Sequence, residues 1–167
     1  MSDTPLELFV AVYGNKETAT LSLEELRRQG PAGTLGIEAS GLLERDRSGD
    51  VRVVDAGREK KHGYGTAGAA IGILAGVIFP PSVVAGAIIG GVAGTVAGKA
   101  QEGRAPGFRS DELEAVGEAI PPGSWAVVTV AAADDAARIE SASEGADQLL
   151  HRQLPPEAIE KLVSGAG

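Results

Sequence analysis

The sequence contains no cysteine among its 167 residues. This absence excludes disulfides, thiolate nucleophiles and metal sites built on thiolates. Aromatic residues make up only 4% of the chain, so its apolar bulk comes mainly from alanine, valine, leucine and isoleucine. The beginning of the sequence also lacks a basic segment followed by an apolar core. We therefore expect no secretory signal and a protein that stays on the cytoplasmic side.

An excess of basic side chains is missing as well. The formal net charge is -8 and the sequence pI is about 4.8. A nucleic-acid-binding surface needs lysine and arginine to neutralise phosphates. The composition therefore predicts that nucleic acid is not a partner.

One long stretch, Tyr64 to Gly98, contains no charged residue at all. Glycine recurs in it at four-residue intervals in two runs, and on a helix this spacing places glycines on one face, with Ile78 among the residues away from that face. We predict a helical hairpin, a glycine zipper, whose turn is formed by Pro80 and Pro81, because proline interrupts a helix. The predicted packing ridges are Gly68, Gly72 and Gly76 in the first helix and Gly86, Gly90, Gly94 and Gly98 in the second.

Such a hairpin needs shelter, because each helical glycine costs ~1 kcal/mol relative to alanine in water. A bilayer or an assembly of several copies provides that shelter. At ~1.5 Å per residue each helix is roughly 24–26 Å long, slightly less than the ~30 Å hydrocarbon core. The flanking Lys60, Lys61, Lys99 and Arg104 favour a membrane hairpin with both ends cytoplasmic. Spanning the bilayer, dipping into it, and a soluble assembly of buried hairpins are the three alternatives.

The sequence around this hairpin predicts an α+β domain. Its elements follow the β-α-β-β-α-β order of a ferredoxin-like sheet, with the hairpin inserted and an extension at the C-terminal end. Residues 1–62 form the first half, 63–99 the hairpin, and 100–167 the second half with the extension. Because helices would cover only one face of this sheet, we expect the other face to pair with a second copy.

The predicted strands are Leu6–Tyr13, Leu35–Arg45, Val51–Gly57 and Trp125–Ala133, with Trp125 in the sheet core and a short edge strand near Leu149. The second and third strands are joined by a hydrophilic turn at "DRSGD". The first helix follows its cap Asn15 and has Ala19, Leu23 and Leu26 as its apolar stripe. A second helix follows Ser110 with Val116 and Ile120 on its apolar face, and a third runs from Asp134 to about Gly145.

Motifs that would indicate catalysis are weak in this sequence. Gly63–Gly68 matches G-x-G-x-x-G, but it follows "REKKH" rather than a strand, and no acidic residue stands about twenty positions later. His62 and His151 have no metal-ligand spacing, so we expect them to be solvated or interfacial. We interpret Asp134 and Asp135 as helix-capping residues. We therefore predict no catalytic residue, no cofactor and no metal, and a protein that is not an enzyme.

Several blocks of the chain resemble one bacterial family in order. They are "LFVAVYGNKETATLSLEELRRQG", "LERDRSGDVRVVDAGREKKHGYGTAGAAIGILAGVI", "AGAIIGGVAG" and "LEAVGEAIPPGSWAVVTVA". Between Leu6 and Leu154 the sequence resembles the domain of unknown function 1269 family. The resemblance implies a membrane-associated, general-stress-like protein with a ferredoxin-like domain and an inserted glycine zipper, and it supplies no catalytic residues. The proline-broken gap between the two glycine runs is shorter here than in the family pattern.

Taken together, these features predict a non-enzymatic, membrane-associated homo-oligomer that assembles through its glycine zipper. The sheet domain would be cytoplasmic, and the resemblance implies a role in envelope or stress maintenance. A soluble cytoplasmic assembly with hairpins buried between subunits is the first alternative. A ferredoxin-like dimer that binds a small molecule is the second, although the sequence identifies no ligand.

Overall fold

The computed structural model describes residues 5–29, 37–55, 78 and 111–154. These residues form five strands and three α-helices, so the chain has an α+β fold. In chain order the elements are β1 (Leu6–Tyr13), α1 (Lys16–Gln29), β2 (Ile37–Arg45), β3 (Val51–Asp55), α2 (Asp111–Glu118), β4 (Ser124–Ala132), a 3-10 turn (Ala133–Asp135), α3 (Ala136–Ala142) and β5 (Gln148–Gln153).

The five strands form one sheet in the order β3-β2-β4-β1-β5, and every neighbouring pair is antiparallel. Strand β4 lies between β1 and β2, although those two are joined through α1. Likewise, β1 lies between β4 and β5, which are joined through α3. The two central strands, β1 and β4, pair along their whole length from Leu6–Ala132 to Tyr13–Trp125.

Helices α1 and α3 cover the first face of the sheet. Alternate side chains of a strand point to the same face, and the odd-numbered positions of β1 and β4 pack here. Tyr13 is 1% exposed and lies in this core with residues from both helices. The cluster comprises Phe9, Ala11, Tyr13, Ala19, Leu23, Leu26, Leu42, Val127, Ala131 and Ile139.

The second face of the sheet is buried too, within a single copy of the chain. Leu8, Val10 and Val12 alternate with the first-face residues of β1 and are at most 3% exposed. Helix α2 contacts β5, and its buried residues lie outside the first-face cluster, so we assign α2 to this second face. The sheet therefore does not need a second copy to cover an open face, and the homodimer stays a prediction.

Helix α1 begins and ends where the sequence indicates. The Asn15 side chain accepts the backbone N–H of Thr18 at 2.8 Å, which satisfies one of the free donors of the first turn. Ala19, Leu23 and Leu26 form its buried stripe, so the predicted cap and the predicted apolar face are both confirmed.

The turn between β2 and β3 is also confirmed. Asp46 accepts the backbone N–H groups of Ser48 and Asp50 through its carboxylate, at 2.9 and 3.0 Å. Gly49 has a φ of 92°, a left-handed conformation that glycine adopts without steric cost.

The short edge strand predicted near Leu149 is confirmed: it is β5, which pairs with β1 over six residues at the edge of the sheet. Three other expectations about the second half need correction. Helix α3 ends at Ala142, not near Gly145. Asp135 occupies the N-cap position, but its side chain makes no capping hydrogen bond and lies 3.7 Å from the Arg138 guanidinium instead. Trp125, predicted to be in the core, is half-buried against it.

Candidate functional site

The residues predicted to pack helices together, to form the hairpin turn and to flank a membrane all lie outside the described residues. These are Gly68, Gly72, Gly76, Gly86, Gly90, Gly94, Gly98, Pro80, Pro81, Lys60, Lys61, Lys99 and Arg104. Within Tyr64–Gly98, hereafter the apolar segment, the structure describes Ile78. This residue therefore shows where the segment meets the domain.

Ile78 is helical and only 1% exposed. Its backbone lies directly against Gly117 of α2: a Cβ built on Gly117 would stand 2.2 Å from the Ile78 carbonyl oxygen and 3.1 Å from its Cγ2. Real Cβ atoms essentially never come within 3.0 Å of a backbone atom. The two backbones therefore approach as closely as they do because residue 117 has no side chain.

The same contact involves the apolar side of α2. Val116 and Ile120, each 1% exposed, are buried beside Gly117 in sequence. Together with Ile78 they are buried apolar side chains that do not belong to the first-face core. The even-numbered side chains of β1 point to the second face and need cover there. The Ile78–Gly117 contact thus joins the apolar segment to the cover of the second sheet face.

A separate set of hydrogen bonds fixes the C-terminal end of α2. The Arg45 guanidinium donates to the Ile120 carbonyl at 2.5 Å, and the Gly123 N–H donates to the Arg45 carbonyl at 2.7 Å. Gly123 has a φ of 80°, so glycine suits this tight return into β4. Helix α2 is therefore attached to the end of β2, and Gly117 is held in place by the sheet.

Gly117 was not among the residues predicted to form a site. Helix α2 was predicted from its cap and its apolar face, and the glycine within "DELEAVGE" was given no role. Glycine inside a helix costs ~1 kcal/mol relative to alanine and often marks a close backbone approach. That signal was present in the sequence, but it does not reveal which segment makes the approach. Ile78 was placed on the side of its helix away from the glycine ridge, and the structure buries that residue.

Two buried hydroxyls connect the elements of the first face. The Tyr13 hydroxyl donates to Ser22 Oγ at 2.6 Å, and Ser22 Oγ donates to the Ala142 carbonyl at 3.1 Å. This relay joins β1, α1 and the end of α3. Neither partner of Ser22 is a base that would activate a nucleophile, so the arrangement is structural.

A second polar cluster lies on edge strand β5. The His151 ring stacks on Phe9 with centroids 4.5 Å apart and an interplanar angle of 13°, and its Nε2 contacts the Glu7 carboxylate. His151 was predicted to be solvated or interfacial, and its side chain is 40% exposed. Its ring and its polar edge both help to hold β5 against β1.

Metal-binding clusters and membrane-spanning helices are both absent from the described residues. There, no group of three or more histidine, aspartate or glutamate side chains is arranged to hold a metal ion. None of the helices in ranges 5–29, 37–55 and 111–154 has the length and hydropathy to cross a membrane. The Arg28 guanidinium, followed by the Gln29 amide, donates hydrogen bonds to Glu25 and lowers the pKa of that exposed carboxyl below its ordinary 4.5.

Comparison with known protein families gives a match. The family model described as "Protein of unknown function (DUF1269)" matches residues 65–165 of the 167, which is more than half of the chain. The match includes α2, β4, α3 and β5 and begins after β3, so the resemblance noted for the earlier residues lies outside it. No curated protein and no solved structure matches at a significant level. The chain belongs to the DUF1269 family.

Proposed function

We propose that the protein is a non-enzymatic, membrane-associated homo-oligomer. Its apolar segment makes the contacts with lipid and with other copies, and the α+β domain positions that segment. The observation that carries the proposal is the uncharged, glycine-rich sequence of the apolar segment. The Ile78–Gly117 contact shows that this segment meets the folded domain through a close backbone approach.

The burial of both sheet faces favours assembly through the apolar segment rather than through the sheet. Both faces of the described sheet are covered within one copy, and Leu21, at 65% exposure, is the one large exposed hydrophobic residue of the described part. A single exposed leucine does not form an association surface. We therefore propose that copies associate through the uncharged segment.

We also propose a ferredoxin-like arrangement, but for a different set of strands from the one the sequence indicated. The unit would comprise β1, α1, β2, β4, α3 and β5. Two observations support it: β4 lies between β1 and β2, and β1 lies between β4 and β5. In this reading β3, α2 and the apolar segment form one insertion between the second and third strands of the unit.

Ile78 also limits how the segment meets a bilayer. In a hairpin that spans the membrane, Ile78 would stand next to the distal turn, roughly 20 Å from the domain at ~1.5 Å per residue. The contact with Gly117 is incompatible with that position. We therefore propose an association with the bilayer in which the apolar segment does not span it.

The second candidate is a soluble assembly in which apolar segments are buried between subunits. The 1% exposure of Ile78 within a single copy favours it, because it means that protein contacts alone shelter part of the segment. The two candidates differ in their need for lipid: the assembly predicts a particle whose size does not depend on detergent.

The experiment that separates them begins with cell fractionation. Membranes are washed with alkaline carbonate, and the purified full chain is sized by light scattering with and without detergent. Retention in the washed membranes supports the membrane candidate. Complete release into the wash together with a large, detergent-independent particle supports the soluble assembly. A detergent-free monomer found only in the soluble fraction would contradict both.

A matched pair of variants tests the glycine ridge in the same assay. Gly90→Leu places a bulky side chain on the predicted ridge and should reduce the oligomer, because helices then cannot approach closely. Val92→Leu places the same leucine side chain away from the ridge and should leave the oligomer unchanged. Equal oligomer sizes for the two variants would show that the ridge is not a contact surface.

A further inference from the structure

We propose that strand β5 is a second interface of the homo-oligomer, at which it pairs in antiparallel fashion with β5 of another copy. The inference rests on the proposed homo-oligomer and adds a contact in the sheet domain. Strand β5 (Gln148–Gln153) is an edge strand, and among the described strands its neighbour is β1 alone. Helices packed on the two faces of a sheet do not satisfy the backbone groups of its edge.

Backbone hydrogen bonds on the two sides of β1 show which residues of β5 point away from it. The Leu154 N–H donates to the Leu6 carbonyl at 3.3 Å. Residues that exchange hydrogen bonds alternate along an antiparallel pair, so the even-numbered residues of β5 bond to β1. On the other side, the Ala133 N–H donates to the Pro5 carbonyl at 3.0 Å, so the odd-numbered residues of β1 bond to β4. The odd-numbered residues of β5 therefore direct their N–H and C=O groups away from β1.

These outward backbone groups, hereafter the open edge, belong to Leu149, His151 and Gln153. The Arg152 guanidinium donates to the His151 carbonyl at 2.7 Å, so a side chain of the same strand takes the place that the N–H of a neighbouring strand would fill. Pairing with another strand would exchange this donor for a backbone N–H. The open edge thus has the donors and acceptors that an added strand needs.

The two edges of the described sheet differ in how well they are protected. Short strands, bulges, prolines and charged side chains keep edges from pairing. The opposite edge strand, β3, has five residues, and its pairing with β2 shifts register between Leu42 and Leu43. Strand β5 pairs with β1 in unbroken register over six residues and contains no proline, lysine or carboxylate. Of these two edges, β5 is therefore the one suited to accept another strand.

The side chains of β5 favour a second copy as its partner and select the register. A two-fold axis makes such a contact self-complementary, and like charges directly opposite each other destabilise a sheet. An axis at Arg152 would oppose two guanidinium groups, and an axis at His151 would oppose two imidazoles. An axis at Leu150 opposes two leucines and places Gln148, whose amide oxygen accepts hydrogen bonds, opposite Arg152. In that register the backbones of Leu149 and His151 exchange hydrogen bonds between the copies.

A single pair of six-residue strands is a small interface. Its strength therefore depends on another contact that keeps the copies close, because a linked second contact forms at a high effective concentration. The proposed association through the apolar segment supplies that first contact. The β5 pairing then fixes how the sheet domains of neighbouring copies are oriented.

Disulfide cross-linking of the full chain tests this register, since the chain has no cysteine. With the axis at Leu150, its two Cα atoms would lie ~4.5 Å apart, within the range of a disulfide. The two Cα atoms of residue 151 would lie roughly 8–9 Å apart, beyond that range. We expect Leu150→Cys to form a covalent dimer about tenfold faster than His151→Cys, although residue 151 is the more exposed. Equal rates, or a faster reaction of His151→Cys, would overturn the proposal.

Two substitutions of His151 test the open edge in the chain that carries Leu150→Cys. His151→Pro and His151→Ala both lose the ring that stacks on Phe9 and contacts Glu7. Proline alone also removes the outward N–H. His151→Pro should slow cross-linking severalfold relative to His151→Ala, with circular dichroism checking that both variants are folded. Equal cross-linking by the two folded variants would contradict pairing through this N–H.

Hydrogen exchange followed by NMR tests the unmodified chain and depends on no variant. The amides of Leu149 and His151 should exchange more slowly as the protein concentration rises, because a second copy then protects them. The Leu150 amide bonds to β1 in every copy, so its exchange should not depend on concentration. Fast exchange at Leu149 and His151 in a chain that light scattering shows to be oligomeric would overturn β5 pairing and leave the proposed function intact. A chain that is monomeric with and without detergent would overturn both.

Discussion

The hydrogen bonds that join Tyr13, Ser22 and the Ala142 carbonyl on the first face give a sharp test of the fold. Tyr13 takes part in one of these bonds, whereas Ser22 takes part in both. Tyr13 donates to Ser22 at 2.6 Å and Ser22 donates to the Ala142 carbonyl at 3.1 Å. Tyr13→Phe removes the first bond but leaves Ser22 with the Ala142 acceptor. We expect the free energy of unfolding to fall by about 1 kcal/mol, the usual net value of one hydrogen bond.

Ser22→Ala should cost more than Tyr13→Phe. It leaves the Tyr13 hydroxyl, in a side chain only 1% exposed, without its acceptor, and it takes the hydroxyl donor away from the Ala142 carbonyl. An unsatisfied buried polar group costs about 1–3 kcal/mol, so we expect a loss of about 2–3 kcal/mol. The double variant should cost less than the sum of the two single changes, because Tyr13→Phe removes the hydroxyl that Ser22→Ala leaves without an acceptor.

Urea unfolding measures these differences, followed by the fluorescence of Trp125, the single tryptophan of the chain. Trp125 pairs with Tyr13 across β1 and β4, so a substitution at Tyr13 also changes the surroundings of the tryptophan. Far-UV circular dichroism therefore serves as a second probe of the same transition. In thermal unfolding, about 1 kcal/mol corresponds to a shift of roughly 2–4 °C for a chain of this size. A larger loss for Tyr13→Phe than for Ser22→Ala would refute the direction of the relay.

The remaining predictions concern the cap, an ion pair and a carboxyl. Asn15→Ala should lower the free energy of unfolding by about 1 kcal/mol and Asn15→Asp should change it little; equal losses in urea unfolding would argue against the cap. Asp55→Asn should cost up to about 1 kcal/mol, less at high salt, because the Arg27 guanidinium donates to both Asp55 oxygens at 2.8 and 2.9 Å; a loss unaffected by salt would count against this ion pair. NMR titration should give Glu25 a pKa below 4.5, so that its favourable interaction is present above that pH and is lost as the pH falls through the lowered pKa. Arg28→Ala should return the Glu25 pKa toward 4.5, and an unchanged titration would show that Arg28 is not the cause.

Local patterns predicted the elements well because their causes are local. The α1 cap at Asn15 and the turn at Asp46 depend on residues within four positions of one another. Strand β1 could be identified from its apolar run alone. In each case the hydrogen-bond partner is a near neighbour in sequence, so the pattern contains both sides of the interaction.

The pairing of distant elements could not be predicted in the same way. Nothing in the composition of β4 indicates that it lies between β1 and β2, since a strand buried on both faces gives only an uninterrupted apolar run. The contact between Gly117 and Ile78 has the same character. Glycine in α2 signals a close neighbour, but the neighbour comes from a segment far away in sequence, and its identity depends on the tertiary fold.

The two faces of the sheet differ in how their covers are held. The first cover, α1 and α3, is held by an interlocked core and by the Tyr13–Ser22 relay between them. The second cover includes α2, whose C-terminal end is attached to β2 through Arg45 and Gly123, and Ile78, whose backbone lies against Gly117. Because backbone atoms cannot rotate away from an added methyl group, alanine at residue 117 requires α2 or the backbone at Ile78 to move. Such a change disturbs the second cover, while the first-face core keeps its own contacts.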